Sequence, residues 1–138
     1  LDMADFTADN LPNGGSAPFY NDRVIAHEMV HAVMTRTTDM SVLPGWLTEG
    51  AAELIHGADE RVLGDFASLD AADGSELLAA FKTSPGSPTT SAGYSAAYLA
   101  VKMLHEDIIS GGDADGIKSL FEAMDVNNGN LGFDAALL

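Results

Sequence analysis

The chain has 138 residues, 46% of them hydrophobic, no cysteine, and 21 acids against 6 bases for a formal net charge of −15. This suits one domain, 1–138, with a real core, and it excludes disulfides, a thiol nucleophile and cysteine-ligated zinc. The acidity argues against nucleic acid and against an anionic membrane surface as partners, and no apolar run approaches the length of a membrane span. A neutral or basic polypeptide would suit such a surface, although simple solvation is the preferred account of it.

The chain opens on Leu1 rather than Met, as an excised domain would, and residues 1–20 lack the basic start and apolar core of a signal peptide. A short strand near Met3–Thr7 fits their composition, and Asn10 to Pro18 reads as a loop. The first helix is expected from Asn21, a good N-cap, to about Thr37–Asp39, with Asp22 favourable in its first turn. Val24, Ile25, Ala32, Val33 and Met34 give it a broad apolar surface, so it should be mostly buried.

This helix carries His27-Glu28-Met29-Val30-His31, the pattern H-E-x-x-H. Positions 27 and 31 are i and i+4, so both imidazoles leave one helix face and can reach one Zn²⁺. Glu28 lies about 100° around the helix from His27. That is too displaced for an equivalent ligand, but close enough to touch a water at the metal. Two ligands and a general base make up the zinc-peptidase arrangement; the bland alternative is a helix with two solvated histidines.

Pro44 and Gly45 break the chain before a second helix, expected to run to about His56 and to close at Gly57. A catalytic zinc needs three protein ligands and an open position. Glu49 is the candidate third ligand, at a spacing from His31 that suits a helix, a turn and a second helix folding back. Glu53, at i+4 from Glu49, could accept a hydrogen bond from the free ring nitrogen of His27 and so fix its tautomer. Alone, Glu49 and Glu53 would read as a solvated acidic stripe; behind H-E-x-x-H they read as ligand and supporting carboxylate. His56 lies two turns beyond Glu49, about 10 Å along the helix, and reads as a surface or last-turn histidine.

Residues 59–72 are ambiguous: Val62, Leu63, Phe66 and Leu69 have helical spacing, but Gly64 weakens the pattern. Asp73-Gly74-Ser75-Glu76 looks like a capping box before a helix over 77–82. Thr83 to Ala92 is a loop, either a plain connector or a gate over a cleft. A helix is expected from Gly93 to about Ser110, with Tyr94, Ala97, Tyr98, Val101, Leu104 and Ile108 as its apolar stripe, ended by Gly111-Gly112. His105 on this helix reads as structural or exposed. Gly111 to Glu122 partly mimics a calcium-binding EF-hand loop through Asp113, Asp115, Gly116 and Glu122, but its first position is a glycine without a carboxylate. An ordinary capped helix, Ile117 to Met124, is therefore preferred over Ca²⁺. Asn127 to Asn130 is a turn, and Phe133 to Leu138 begins a last apolar segment.

His27-Glu28-Met29-Val30-His31 followed by Gly45-Trp46-Leu47-Thr48-Glu49-Gly50-Ala51-Ala52-Glu53 resembles the gluzincin metallopeptidases, whose pattern is H-E-x-x-H and then W-[LF]-x-E-G-x-A-E. The resemblance implies that His27, His31 and Glu49 bind zinc, that Glu28 is the base and that Glu53 supports a ligand. Gly93 to Lys102 is similar to the helix that follows the site in many gluzincins, where an opening tyrosine often stabilises the oxyanion; Tyr94 fits that place, with Tyr98 in reserve. Within the family the short, acidic, cysteine-free form looks like the peptidase domain inserted in some bacterial flagellins. That would place it outside the cell, on the surface or along a flagellar filament, acting on extracellular proteins. The family would also carry a small sheet near residues 1–20, of which little is visible here.

The expected fold is mainly α, α+β at most, with a zincin-like core and little or no sheet. The expected reaction is zinc-dependent peptide hydrolysis, probed against two alternatives: a non-enzymatic surface or filament insert with a structural or vestigial zinc, and a binding module that folds without metal.

Overall fold

A computed structural model describes residues 21–68, 74–83, 88–127 and 131–137. Regular structure among them is helical: α1 (Asn21–Thr37), a 3-10 turn (Met40–Val42), α2 (Gly45–His56), α3 (Asp59–Ser68), α4 (Ser75–Thr83), α5 (Ser91–Ser110), α6 (Ile117–Ala123) and α7 (Phe133–Ala136). The mainly α expectation holds, with no strand among the described residues. The expected strand near 3–7, the loop at 10–18 and the capping side chain of Asn21 lie outside what is described. No described helix is long and apolar enough to cross a membrane.

Helix α5 is the central element, packed against α2, α3, α4 and α6, while α1 lies on α2. Small residues make the α2–α5 contact: a Cβ added at Gly50 would stand 2.6 Å from Val101 Cγ2 and closer still to the Ala97 carbonyl oxygen. Only glycine at position 50 lets the two backbones approach this closely. The main core gathers Val30 and Met34 from α1, Leu47, Ala51 and Ala52 from α2, Val101 from α5, and Ile117, Leu120 and Met124 from the α6 region. Trp46 stacks edge-on against Phe81 and Phe133, with ring centroids 5.8 and 6.1 Å away, and ties α4 and α7 to the start of α2.

The turn between α1 and α2 is built from its own polar groups. Asp39 Oδ1 accepts from the Ser41 amide at 3.0 Å and from its hydroxyl at 2.6 Å. Pro44, extended at φ −67° and ψ 138°, then opens α2. Gly57 closes α2 in the left-handed region at φ 81°, its amide donating to the Glu53 carbonyl.

Three readings change here. The ambiguous 59–72 stretch is a helix as far as Ser68, because Gly64 faces open space and leaves the Val62 and Phe66 face intact. Helix α5 starts at Ser91 rather than Gly93, because the Thr90 hydroxyl accepts from the Gly93 amide and caps it. Helix α1 is not mostly buried: Val30 and Met34 enter the core, but Met29 and Val33 are each 62% exposed along an apolar groove of about 700 Å³ between α1, α2 and α6. The EF-hand-like stretch, read as an ordinary capped helix in preference to a calcium site, is a turn leading into α6, whose N-cap Gly116 makes no side-chain cap bond. Asp113 accepts from the Asp115 amide, Lys118 pairs with both Asp115 and Glu122, and His105 Nδ1 accepts from the Ile117 amide at the start of α6. Asp115 and Glu122 are thus engaged with a lysine and Asp113 with a backbone amide, and His105 is structural.

Candidate metal centre

Helix α1 presents His27 and His31 one turn apart, and α2 brings Glu49 against them. His27 Nε2 lies 3.0 Å from His31 Nε2 and 3.1 Å from Glu49 Oε2, and His31 Nε2 lies 3.3 Å from the same oxygen. A tetrahedral zinc with bonds of about 2.0–2.1 Å has donor–donor edges of roughly 3.3–3.4 Å. The three atoms therefore nearly form one face of such a tetrahedron. Two imidazole nitrogens and a carboxylate oxygen meeting in this way need a positive charge, a proton or a metal ion, among their lone pairs.

The other nitrogen of His27 is also held. Its Nδ1 donates to Glu53 Oε1 at 3.1 Å, as the i+4 spacing from Glu49 leads one to expect. Glu53 is only 1% exposed. Its Oε1 also takes His56 Nε2 at 3.3 Å, and its Oε2 takes Arg61 Nε at 3.0 Å. Burial would raise the Glu53 carboxyl, but the hydrogen bonds from His27 and His56 and the charge of Arg61 hold it far below the usual carboxylate range. Burial likewise disfavours a charged His27, yet hydrogen bonds to Glu49 and Glu53 outweigh it and push His27 up to about 9. Glu49 is lowered, its burial overcome by the His27 hydrogen bond and the charge of His31. His31 Nδ1 is buried without a hydrogen-bond partner among the described residues.

Tyr94, in the first turn of α5, stands beside this cluster with its ring centroid 6.2 Å from that of His27. Burial first, and then the charges of Glu49 and Glu53, push its phenol up against the opposing pull of Arg61, so its hydroxyl stays a donor at neutral pH. The charge of Glu28 acts on Tyr94 in the same direction, and the Glu28 side chain itself is exposed. Tyr98 is not part of the cluster. Its hydroxyl donates to Asp59 Oδ1 at 2.6 Å and accepts from Lys102 at 3.2 Å, while its ring packs with Ala58 and Val62.

His56 stands in the last turn of α2, one of the two places expected for it, but it is not a surface residue. Its side chain is 5% exposed and bonds Glu53. The 10 Å separation argued from Glu49 was measured from the wrong partner: Glu53 and His56 are i and i+3, neighbours on one helix face. Arg61 was missed altogether. The available signal was an arginine among the apolar positions of α3, one turn before Asp65.

Among the described residues, two donor groups could hold a metal ion, His27–His31–Glu49 and His27–Glu53–His56. No protein-family model matches the chain, no curated protein matches it, and no solved structure matches its fold.

Proposed function

We propose that this chain is a zinc-dependent peptidase of gluzincin type that holds its metal on His27, His31 and Glu49. The observation that carries the reading is the convergence of those three donors at 3.0–3.3 Å from one another. Three ligands leave a position for water, which a closed structural site would lack. The His27–Glu53–His56 group is the poorer metal holder, because the Arg61 guanidinium already neutralises Glu53 and its charge opposes a second cation there.

When bound, zinc supplies Lewis acidity, polarising the scissile carbonyl and acidifying a water. The protein's own groups account for the proton traffic. Glu28, adjacent to His27 and open to solvent, takes a proton from the attacking water and delivers it to the leaving amine. The Tyr94 hydroxyl donates to the carbonyl oxygen as it gains negative charge. Glu53 keeps the proton of His27 on Nδ1, so Nε2 remains the ligating atom. The sequence resemblance extends the proposal to extracellular polypeptide substrates and to display on a bacterial surface or flagellar filament.

The test is zinc content together with cleavage of an unstructured protein such as casein, for the wild type and Glu28→Gln. One equivalent of zinc in both, with cleavage by the wild type alone, is expected. Normal cleavage by Glu28→Gln would remove Glu28 as the base, and absence of zinc from both would remove the metal assignment.

A further inference from the structure

Behind the proposed ligands lies a cavity of about 230 Å³ whose walls include Arg23, His27, Glu53, His56, Arg61 and Tyr94. Arg61 is 9% exposed in a chain with only 6 basic residues, so its burial needs a reason. Its Nε donates to Glu53 Oε2 at 3.0 Å, and its guanidinium stands over the Tyr94 ring, Cζ 5.3 Å from the centroid. Its Nη1 reaches the Ser91 hydroxyl at 3.5 Å. Helix α3, which carries it, is pinned to α5 by Asp65, whose Oδ2 accepts from Ser91 and Ser95, and to α1 by the Arg23–Glu60 pair at 2.6 Å.

The geometry points to Arg61 as a positioning residue with two separable duties: its charge holds the Glu53 carboxylate against His27, and its planar face fixes the Tyr94 ring beside the metal ligands. The second duty rests on the peptidase reading given above; the first rests only on its zinc assignment. One side chain is suited to both because guanidinium is flat and directional. Its Nε–H bonds the carboxylate while the cation lies over the aromatic ring. An ammonium group offers the charge without the plane. The arrangement therefore connects α2, which bears Glu49 and Glu53, to α5, which bears Tyr94, through a residue of α3 that is not itself one of the proposed ligands.

The two duties separate on substitution. Arg61→Met removes both; Arg61→Lys keeps the charge opposite Glu53 and loses the planar face. Zinc affinity, read by chelator competition, is expected to fall about 10- to 100-fold in Arg61→Met, the usual effect of losing support behind a ligating histidine, and to stay within about threefold in Arg61→Lys. At saturating zinc, both variants are expected to lose kcat by about tenfold or more with little change in KM. Adding Arg61→Lys to Tyr94→Phe is expected to cost no further kcat, since both act through one hydroxyl.

Wild-type zinc affinity in Arg61→Met, with only a lowered melting temperature, would overturn the first duty. Wild-type kcat in Arg61→Lys, or a loss that multiplies fully with Tyr94→Phe, would overturn the second. Should Arg61→Met not fold, Glu53→Gln paired with Arg61→Lys decides the first duty: Arg61→Lys must keep zinc affinity where Glu53→Gln loses it. A zinc-loaded wild type that cleaves nothing would sink the peptidase reading and the second duty with it, while the affinity arm still decides the first.

Discussion

Glu53 Oε1 stands 3.1 Å from His27 Nδ1, so a carboxylate on one helix determines which imidazole nitrogen of another is available as a ligand. Replacing Glu53 by Gln leaves a hydrogen-bond acceptor but no charge, and strands Arg61 and His56 on a neutral partner. Zinc affinity should fall about 10- to 100-fold, as it does when the group behind a ligating histidine is lost. Chelator competition measures this directly. An affinity equal to wild type would mean that the His27 tautomer is set by something other than Glu53.

The same cluster predicts opposite pH responses for the metal-free and metal-bound protein. His27 is raised from 6.5 to about 9, so its proton stabilises the metal-free fold fully below 6.5, and that contribution is lost as pH rises through about 9. Glu49 and Glu53 are lowered from 4.5, so their contributions are present above 4.5 and are lost as pH falls through their depressed values. The metal-free protein should therefore melt highest between 4.5 and 6.5. Zinc must displace the His27 proton, so its affinity should climb with pH up to about 9. Melting scans with and without zinc across this range test both trends: the stabilisation by zinc should be larger at the alkaline end. A zinc effect independent of pH would contradict the ligand role of His27.

Tyr94 and Tyr98 sit one helical turn apart and should respond differently. Tyr94→Phe is expected to lower kcat by about 100- to 1,000-fold, the range seen when an oxyanion donor is removed. Tyr98→Phe loses the hydrogen bond to Asp59 and should lower the melting temperature while leaving zinc-loaded turnover near wild type. Equal kinetic losses in the two variants would remove Tyr94 from its assigned place.

Two glycines give a contrast in packing. Gly50→Ala forces a methyl group against the Ala97 carbonyl and Val101, and should destabilise by about 1–3 kcal/mol, with a further loss of zinc affinity because Glu49 and Glu53 flank it. Gly64→Ala meets open space in the middle of α3 and should stabilise by about 0.5–1 kcal/mol. Urea unfolding midpoints of the two variants should move in opposite directions.

Much of this was legible in local patterns. The i and i+4 spacing of His27 and His31 depends only on helical periodicity, as does that of Glu49 and Glu53, and Pro44-Gly45 and Gly57 bound the second helix by backbone chemistry alone. Those relations are set within one or two turns, so the order of residues determines them. Arg61, His56 and Tyr98 were not legible in that way. Arg61 finds Glu53 and Tyr94 only because α3 and α5 are brought together by Asp65 and its serines. His56 is buried by neighbouring helices, not by its own. Tyr98 stands one turn before Lys102 on its own helix, but its hydroxyl reaches Asp59 only because α3 packs against α5. Burial and long-range pairing depend on which helix covers which face, and that is decided when small residues such as Gly50 and Ala97 let the helices close on one another. Helical periodicity alone places His27 beside His31 and Glu49 beside Glu53, because those spacings close within one turn; the burial of His56 and the reach of Arg61 to Glu53 follow from packing between helices, which no local pattern encodes.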